Sequence, residues 1–136
     1  MKFDFPYKRV KYANGTLAYQ PSIPLTFLTK DCAFDTIGLL DSGANISAIP
    51  RDVAEVLGLH LTPQDSLSFG IGGKVRSAET KITMRIGNGK RAVTFKLPVK
   101  VILDDVSFPI LIGRKTFFDK FDVHFSQKQK KITLSL

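Results

Sequence analysis

The residues of this chain best suited to chemistry are Asp41-Ser42-Gly43-Ala44, which follow an apolar run ending at Leu40. An isolated exposed aspartate has an ordinary pKa of about 3.9 and is a poor base at neutral pH. Two aspartates within hydrogen-bond reach share one proton, and their apparent pKa values separate. Such a pair activates water as a base and protonates a developing oxyanion as an acid. The chemistry open to Asp41 is therefore hydrolysis, on condition that a second carboxylate lies beside it.

The neighbours of Asp41 are compatible with this role. Gly43 lets the backbone turn and approach other groups closely without a Cβ clash. The apolar segment before Asp41 would hold the carboxylate rigidly. Taken alone, Asp-Ser-Gly is equally well an ordinary turn, because all three residue types are common in turns.

The elements that must position this motif are mostly short strands. Apolar or alternating segments predict them at 23–28, 34–40, 46–49, 66–69, 81–86, 92–95, 97–103, 108–112, 122–125 and 132–134. Helical spacing predicts a helix over 51–57, with Gly58 as its C-cap. One or two helical turns are expected at 116–121, and Gly87-Asn88-Gly89 predicts a hairpin turn. Many short strands with one or two short helices predict an all-β barrel or sandwich.

Composition fits a single domain of 136 residues, 43% of them hydrophobic. No apolar run approaches the roughly 18 residues of a membrane span, and the N-terminus lacks the long apolar stretch of a signal peptide. The single cysteine, Cys32, cannot form an intrachain disulfide, which favours a reducing cytoplasm and a structural thiol. His60 and His124 have no metal-like spacing, so ordinary packing or solvent-facing roles are expected.

The net charge of +8 is unevenly distributed, with −1 over residues 1–68 and +9 over residues 69–136. Such an imbalance can indicate an anionic partner. The simpler explanation is that lysines on outer strand faces protect sheet edges from aggregation. No RNA-binding aromatic motif, zinc spacing or phosphate-binding glycine loop supports a nucleic-acid or nucleotide partner.

A second motif, Ile110-Leu111-Ile112-Gly113, follows Asp41-Ser42-Gly43-Ala44 by about seventy residues. Together the two motifs resemble one protomer of a retroviral-type aspartic protease (retropepsin), with Ser42 where many members carry threonine. The resemblance runs from about residue 21 to residue 136. It is closer to cellular, prokaryotic-type members than to viral ones, because the chain has an N-terminal extension and a longer tail.

The resemblance implies a small closed acid-protease-type β-barrel with one lobe per chain, and an active site shared by two chains. The implied catalytic residues are Asp41, Ser42 and Gly43, with the Ser42 hydroxyl bracing the partner loop. Substrate would be bound by Ala44, Asn45, Phe69, Gly70, Ile71, Gly72 and Gly73. Structural support behind the loop would come from Ile110, Leu111, Ile112 and Gly113. The last strand resembles the one used in the family's dimer interface.

The function implied is that of an aspartic endopeptidase, a homodimer acting on extended peptides or proteins in the cytoplasm. No metal or organic cofactor is implied, and neither a membrane nor a nucleic acid is expected as a partner. Residues 1–20 form an extension of unknown role, and 21–136 the retropepsin-like domain. Three alternatives stay open: a non-catalytic peptide-binding module, a basic nucleic-acid-binding domain, and an ordinary tight turn at residues 70–73.

Overall fold

The computed structural model describes residues 1–61, 66–70 and 73–136, and for residues 66–70, 73 and 74 it describes the backbone. A short helix, α1, spans Arg51–Val56, with a 3-10 turn at Gly89–Arg91 and an irregular helical segment at Arg114–Phe118. The strands of this part of the chain are β1 (Lys2–Pro6), β2 (Lys8–Lys11), β3 (Leu17–Gln20), β4 (Ser22–Leu28), β5 (Ala33–Leu40), β6 (Ser47–Pro50), β7 (Ser66–Gly70), β8 (Gly73–Ile86), β9 (Val93–Ile102), β10 (Leu111–Ile112), β11 (Asp122–Ser126) and β12 (Lys131–Ser135).

The main sheet contains seven strands in the order β4-β5-β10-β6-β9-β8-β7. Strand β4 also pairs with β8, from Thr26 opposite Arg85 to Leu28 opposite Thr83, so six of the strands close into a ring. The β5–β10 and β6–β9 pairings are parallel, and the others are antiparallel. The all-β fold class with one lobe and few short helices, predicted from sequence, is confirmed.

A second sheet joins the two ends of the chain. Strand β12 lies between β1 and β11, with Lys2 opposite Ser135 on one side and Asp122 opposite Ser135 on the other. Both edges of the last strand are therefore filled within one protomer. Strands β2 and β3 form a separate two-stranded sheet. Residues 1–20 thus contribute three strands, while their role as an extension stays a prediction.

The interior of the ring is filled by aliphatic side chains that alternate along the strands, as half-buried strands require. An aromatic cluster packs at the side where the helical segment meets β9. The rings of Phe117 and Phe121 lie 5.0 Å apart between centroids, and Phe95 contacts both. Phe117 is fully buried, so this cluster anchors the segment that follows Gly113.

Three predicted strands differ from the structure. The continuous strand expected at 108–112 is reduced to β10 at Leu111–Ile112, because Pro109 has no N–H to donate to a neighbouring strand. The two strands expected at 92–95 and 97–103 are one unbroken strand, β9, which carries Pro98. Of the helices in the described residues, none combines the length and apolar character needed to cross a membrane.

Candidate functional site

Asp41 lies directly after β5, at the point where this strand runs beside β10. Its N–H donates to the carbonyl of Ile112 at 2.9 Å, and the N–H of Leu39 donates to the carbonyl of Ile110 at 2.8 Å. On the opposite side, the N–H of Leu40 donates to the carbonyl of Pro21 at 3.0 Å. The backbone leading into Asp41 is therefore hydrogen-bonded on both sides, which fixes the position of the Asp41 backbone and hence the point from which its side chain extends.

The loop after Asp41 folds back onto its carboxylate. The N–H of Gly43 donates to Asp41 Oδ1 at 2.9 Å, and the N–H of Ala44 donates to the Asp41 carbonyl at 3.2 Å. Asp41 is half-buried, whereas Ser42 and Gly43 are exposed. A Cβ on Gly43 would lie 3.2 Å from Asp41 Oδ1, so a larger residue would crowd the carboxylate. Among the hydrogen bonds of the described residues, none uses Asp41 Oδ2, which leaves this oxygen available to a ligand.

Gly113 supports the loop from behind. Its N–H donates to the buried hydroxyl oxygen of Ser47 at 3.0 Å. A Cβ at this position would lie 2.5 Å from the carbonyl carbon of Ile46 and 3.0 Å from the carbonyl oxygen of Ala44. Glycine is therefore required here by the close approach of two backbone segments.

The residues after Gly113 hold the loop by its carbonyl groups. The N–H of Arg114 donates to the Ala44 carbonyl and that of Lys115 to the Asn45 carbonyl, both at 2.9 Å. The guanidinium of Arg114 also donates, through Nη1, to the Ser42 carbonyl at 2.7 Å. Three carbonyls of the loop, those of Ser42, Ala44 and Asn45, are thus bonded to Arg114 and Lys115.

This arrangement presents one oriented carboxylate per chain. No hydrogen bond of the described residues joins Asp41 to a second carboxyl group. The same part of the chain contains no group of three or more His, Cys, Asp and Glu side chains that could hold a metal ion. Acid–base chemistry of the dyad type at Asp41 requires a second carboxylate, and no hydrogen bond among the described residues supplies one.

The sequence from residue 35 to residue 116 matches the family model described as aspartyl protease. This match covers more than half of the chain and includes both Asp41 and Gly113. The chain belongs to the aspartyl protease family. This match confirms the family that the two motifs indicate. The retropepsin-like fold of the chain is confirmed by its similarity to solved structures.

Two solved structures show what this aspartyl protease chain is similar to in fold. One is a retropepsin-like aspartic protease from Rickettsia conorii, with a TM-score of 0.63 and 17% identity over 98% of this chain and 91% of that one. Another is the EIAV protease complexed with the inhibitor HBY-793, with a TM-score of 0.52 and 22% identity over 81% of this chain and 93% of that one. A search of curated proteins found no match.

The structure brings most of the predicted site residues of this aspartyl protease into one cluster. The loop from Asp41 to Asn45 and the segment from Ile110 to Gly113 are in direct backbone contact. Of the predicted substrate-binding positions farther along, Phe69 and Gly70 lie at the end of β7, with Gly70 opposite Gly73 of β8. Ile71 and Gly72 lie outside the described residues.

Sequence reasoning missed the contribution of Ser47 and Arg114 to the loop. Ser47 interrupts an apolar run, and its 1% exposure identifies a buried hydroxyl. Polar residues inside a buried strand usually have a hydrogen-bond partner, which was the available signal. Arg114 directly follows Gly113, but its hydrogen bond to the Ser42 carbonyl spans a separation of 72 residues, which no local pattern indicates.

A further missed contact lies at the root of the β7–β8 pair. The backbone N–H of Arg76 donates to Asp104 Oδ2 at 2.9 Å, and Arg76 Nε donates to Asp104 Oδ1 at 3.1 Å. The N–H of Leu103 donates to the Arg76 carbonyl at 2.9 Å. The backbone hydrogen bond, followed by the side-chain bond and charge of Arg76, lowers the pKa of Asp104 below its usual range.

An open groove of about 650 Å³ lies beside the candidate site. It runs along β5 and reaches Leu39, two residues before Asp41. Its walls come from β5, from the approach to β10 and from the start of α1, and include Thr36, Ile37, Phe108, Pro109 and Val53. Because these segments are far apart in sequence, no local pattern could indicate the groove.

Proposed function

We propose that this member of the aspartyl protease family is an aspartic endopeptidase that acts as a homodimer. Two Asp41 carboxylates, one from each chain, form the dyad. Ser42 braces the opposing loop and Gly43 permits the close turn. The substrate is a peptide or protein segment in extended conformation, and neither a metal nor an organic cofactor takes part.

The observation that carries this proposal is the fixed but incomplete Asp41 loop. Its carboxylate is oriented by the N–H of Gly43, and its backbone is bonded to β10 through Ile112. A hydrolytic dyad needs a second carboxylate. The simplest source is the identical loop of a second copy, since closed two-fold dimers are the commonest oligomers.

The chemistry assigned to the dyad has two halves. The ionised carboxylate removes a proton from a water molecule, whose oxygen then attacks the carbonyl carbon of the peptide bond. The protonated carboxylate donates its proton to the oxygen of that carbonyl as negative charge develops there. Collapse of the tetrahedral species expels the amine, which takes up a proton, and the dyad again holds a single proton.

The exposed loop residues support the remaining assignments. The Ser42 hydroxyl takes part in no hydrogen bond among the described residues, so it is available to a partner chain. We assign substrate contacts to Ala44 and Asn45, beside the carboxylate, and to Phe69, Gly70 and Gly73 of the β7–β8 pair. The cytoplasmic location and the division of the chain at residue 21 stay predictions.

The test is cleavage of a mixed peptide library over a pH series by the wild type and by Asp41→Asn. The variant is nearly isosteric but cannot act as a base, so cleavage should disappear while the melting temperature and dimer content stay unchanged. Asp31→Asn, at an exposed position before β5, is the matched control and should cleave normally.

Two outcomes would contradict the proposal. Equal cleavage by the wild type and Asp41→Asn would place the chemistry elsewhere. A wild type that binds peptides at every pH without cleaving any would support the alternative of a non-catalytic peptide-binding module.

A further inference from the structure

The hairpin formed by β2 and β3 has two different faces. Cross-strand pairing places Arg9 opposite Tyr19 and Lys11 opposite Leu17, so these four side chains share one face. All four are exposed, whereas Val10 and Ala18 on the opposite face are partly buried. The outward face thus combines two cations with two large apolar side chains.

Two large apolar side chains of this outward face are exposed, Leu17 to 51% and Tyr19 to 48%. A two-stranded hairpin is marginally stable on its own, and adjoining exposed apolar side chains often indicate an interaction surface. Lys130 Nζ lies 5.9 Å from the centroid of the Tyr19 ring, whereas no hydrogen bond or ion pair of the Arg9 or Lys11 side chain is found among the described residues, so these two cations and Leu17 are open to a partner.

The hairpin is rooted beside the Asp41 loop. Strand β3 ends at Gln20, and the carbonyl of the next residue, Pro21, accepts the hydrogen bond from Leu40. The register of β4 with β5 therefore places the root of the hairpin level with Asp41. If two Asp41 loops meet, as in the proposed function, two hairpins project from close to the line of contact.

A surface of opposite character lies on the same protomer. The helix α1 and the loop after β9 border a cleft of about 200 Å³. The lining contains Arg51 and four carboxylates, Asp52, Glu55, Asp104 and Asp105, of which Glu55 pairs with Arg51 at 3.5 Å and Asp104 pairs with Arg76 at 3.1 Å. Val106, which is 46% exposed, adds an apolar contact there.

The hairpin and the acidic cleft match each other in charge. Residues 8–20 contain Lys8, Arg9 and Lys11 and no acidic residue. Lys8, on the opposite face of the hairpin from Arg9 and Lys11, lines the groove along β5 together with Asp52, so the hairpin and the acidic cleft flank one depression. A two-fold axis between two such patches brings the basic patch of each copy onto the acidic patch of the other, which makes the surface self-complementary.

We propose that the outward face of the β2–β3 hairpin docks on the acidic cleft of a second copy of this chain. This inference rests on the homodimer of the proposed function and assigns a role to residues 8–20. The apolar side chains Leu17 and Tyr19 pack against the partner, and Arg9 and Lys11 face its carboxylates. Complementary charges at such an interface select the correct register as well as strengthening it.

The test is a charge-reversal cycle on the full-length chain, with the dimer dissociation constant measured by sedimentation velocity at fixed salt. One variant carries Arg9→Glu and Lys11→Glu, a second carries Glu55→Lys and Asp105→Lys, and a third carries all four changes. Each of the first two should weaken the dimer roughly tenfold or more, and the third should return to within about threefold of the wild type. Melting temperatures of the four proteins verify that each protomer is folded.

The matched control reverses two exposed cations elsewhere, Lys81→Glu and Lys90→Glu, which changes the net charge by the same amount. This control should leave the dissociation constant unchanged. A wild-type dimer that neither charge reversal weakens would overturn this inference and leave the proposed function standing. If both charge-reversal variants weaken the dimer and the combined variant does not recover, the proposed contact between the hairpin and the acidic cleft is also overturned. A wild type that is monomeric at all concentrations yet cleaves peptides would overturn both proposals.

Discussion

The Asp41 loop and the β7–β8 pair are held in different ways. The loop is bonded to β10, to Ser47 through Gly113, and to the backbone of Arg114 and Lys115, so it is tied from several directions. The β7–β8 pair extends past the last β9 contact, which is Ser77 opposite Ile102. Beyond this point, among the described residues, the backbone of these strands pairs within the pair, and Arg76 contacts Asp104 and Leu103.

This difference separates two requirements of the proposed chemistry. An Asp41 carboxylate that must lie within hydrogen-bond distance of the same residue in a second chain needs a backbone with few alternative conformations. A strand pair expected to contact a variable peptide needs less support from the rest of the fold. Regions with few backbone and side-chain contacts open at lower free energy than the core. Substitutions around Gly113 should therefore cost global stability, and those at Arg76 and Asp104 should change local stability.

The largest expected effect is that of Gly113→Val. The new side chain would collide with the Ile46 carbonyl, so we expect a loss of about 3 kcal/mol in the free energy of unfolding, at the upper end for overpacking. Urea denaturation measures this loss. Gly43→Ala is the control, because its Cβ would approach a side-chain oxygen and no backbone atom. Equal stability of the two variants would contradict the close backbone approach at Gly113.

A smaller effect is expected for Ser47→Ala. Removal of the hydroxyl leaves the N–H of Gly113 without its buried acceptor, which should cost about 1–2 kcal/mol. Ser42→Ala removes an exposed hydroxyl and should leave unfolding unchanged within error. If Ser47→Ala were as stable as Ser42→Ala, the hydrogen bond from Gly113 would have no role in holding the loop.

The root of the β7–β8 pair should respond locally. Asp104→Ala removes both acceptors of Arg76, so amide hydrogen exchange should quicken at Arg76 and its neighbours in β8 while the global unfolding free energy changes little. Asp105→Ala is the control, since no hydrogen bond or ion pair of its side chain is found among the described residues. Faster amide exchange throughout the core of Asp104→Ala would contradict this prediction, because it would show that the contact stabilises the whole fold.

The same contact should give the smallest effect, a pH dependence in strong acid. The pKa of Asp104 is lowered below 3.8 in the folded protein. Its contribution to stability is therefore fully present above the unfolded pKa and is lost as the pH falls through the folded pKa. The amide chemical shift of Arg76, followed by NMR, should titrate with a midpoint below 3.8. A midpoint above that value would contradict the two hydrogen bonds.

The parts predicted from sequence are those with a local signal. Periodicity located β4, β5 and β12, and the strand end at Leu40 placed Asp41 in an exposed loop. The glycine at position 113 marked the supporting strand. These features depend on side-chain alternation and on the residue preferences of turns, both of which can be recognised within a few residues of sequence.

The parts missed depend on pairings between distant segments. The strand β1 pairs with the last strand, more than 120 residues away, and the alternation of its sequence is confined to five residues. The Arg76–Asp104 contact joins a strand to a loop that the sequence describes as a polar turn. Within one protomer β1 and β11 occupy both edges of the final strand, and its place at a dimer interface, expected from the family resemblance, stays a prediction.

The central claim is that one active site is assembled from two copies of the Asp41 loop, and mixing chains tests it most directly. Inactive Asp41→Asn is added to a fixed amount of wild type under conditions that allow subunits to exchange, and peptide cleavage is measured. With an equal amount of variant, cleavage should fall to about one half, because half of the wild-type chains then sit in mixed dimers that lack a complete dyad. Cleavage should fall further as the amount of Asp41→Asn is increased, whereas Asp31→Asn added in the same way should not reduce cleavage. Cleavage that stays constant at every ratio of Asp41→Asn would show that each chain carries a complete site of its own.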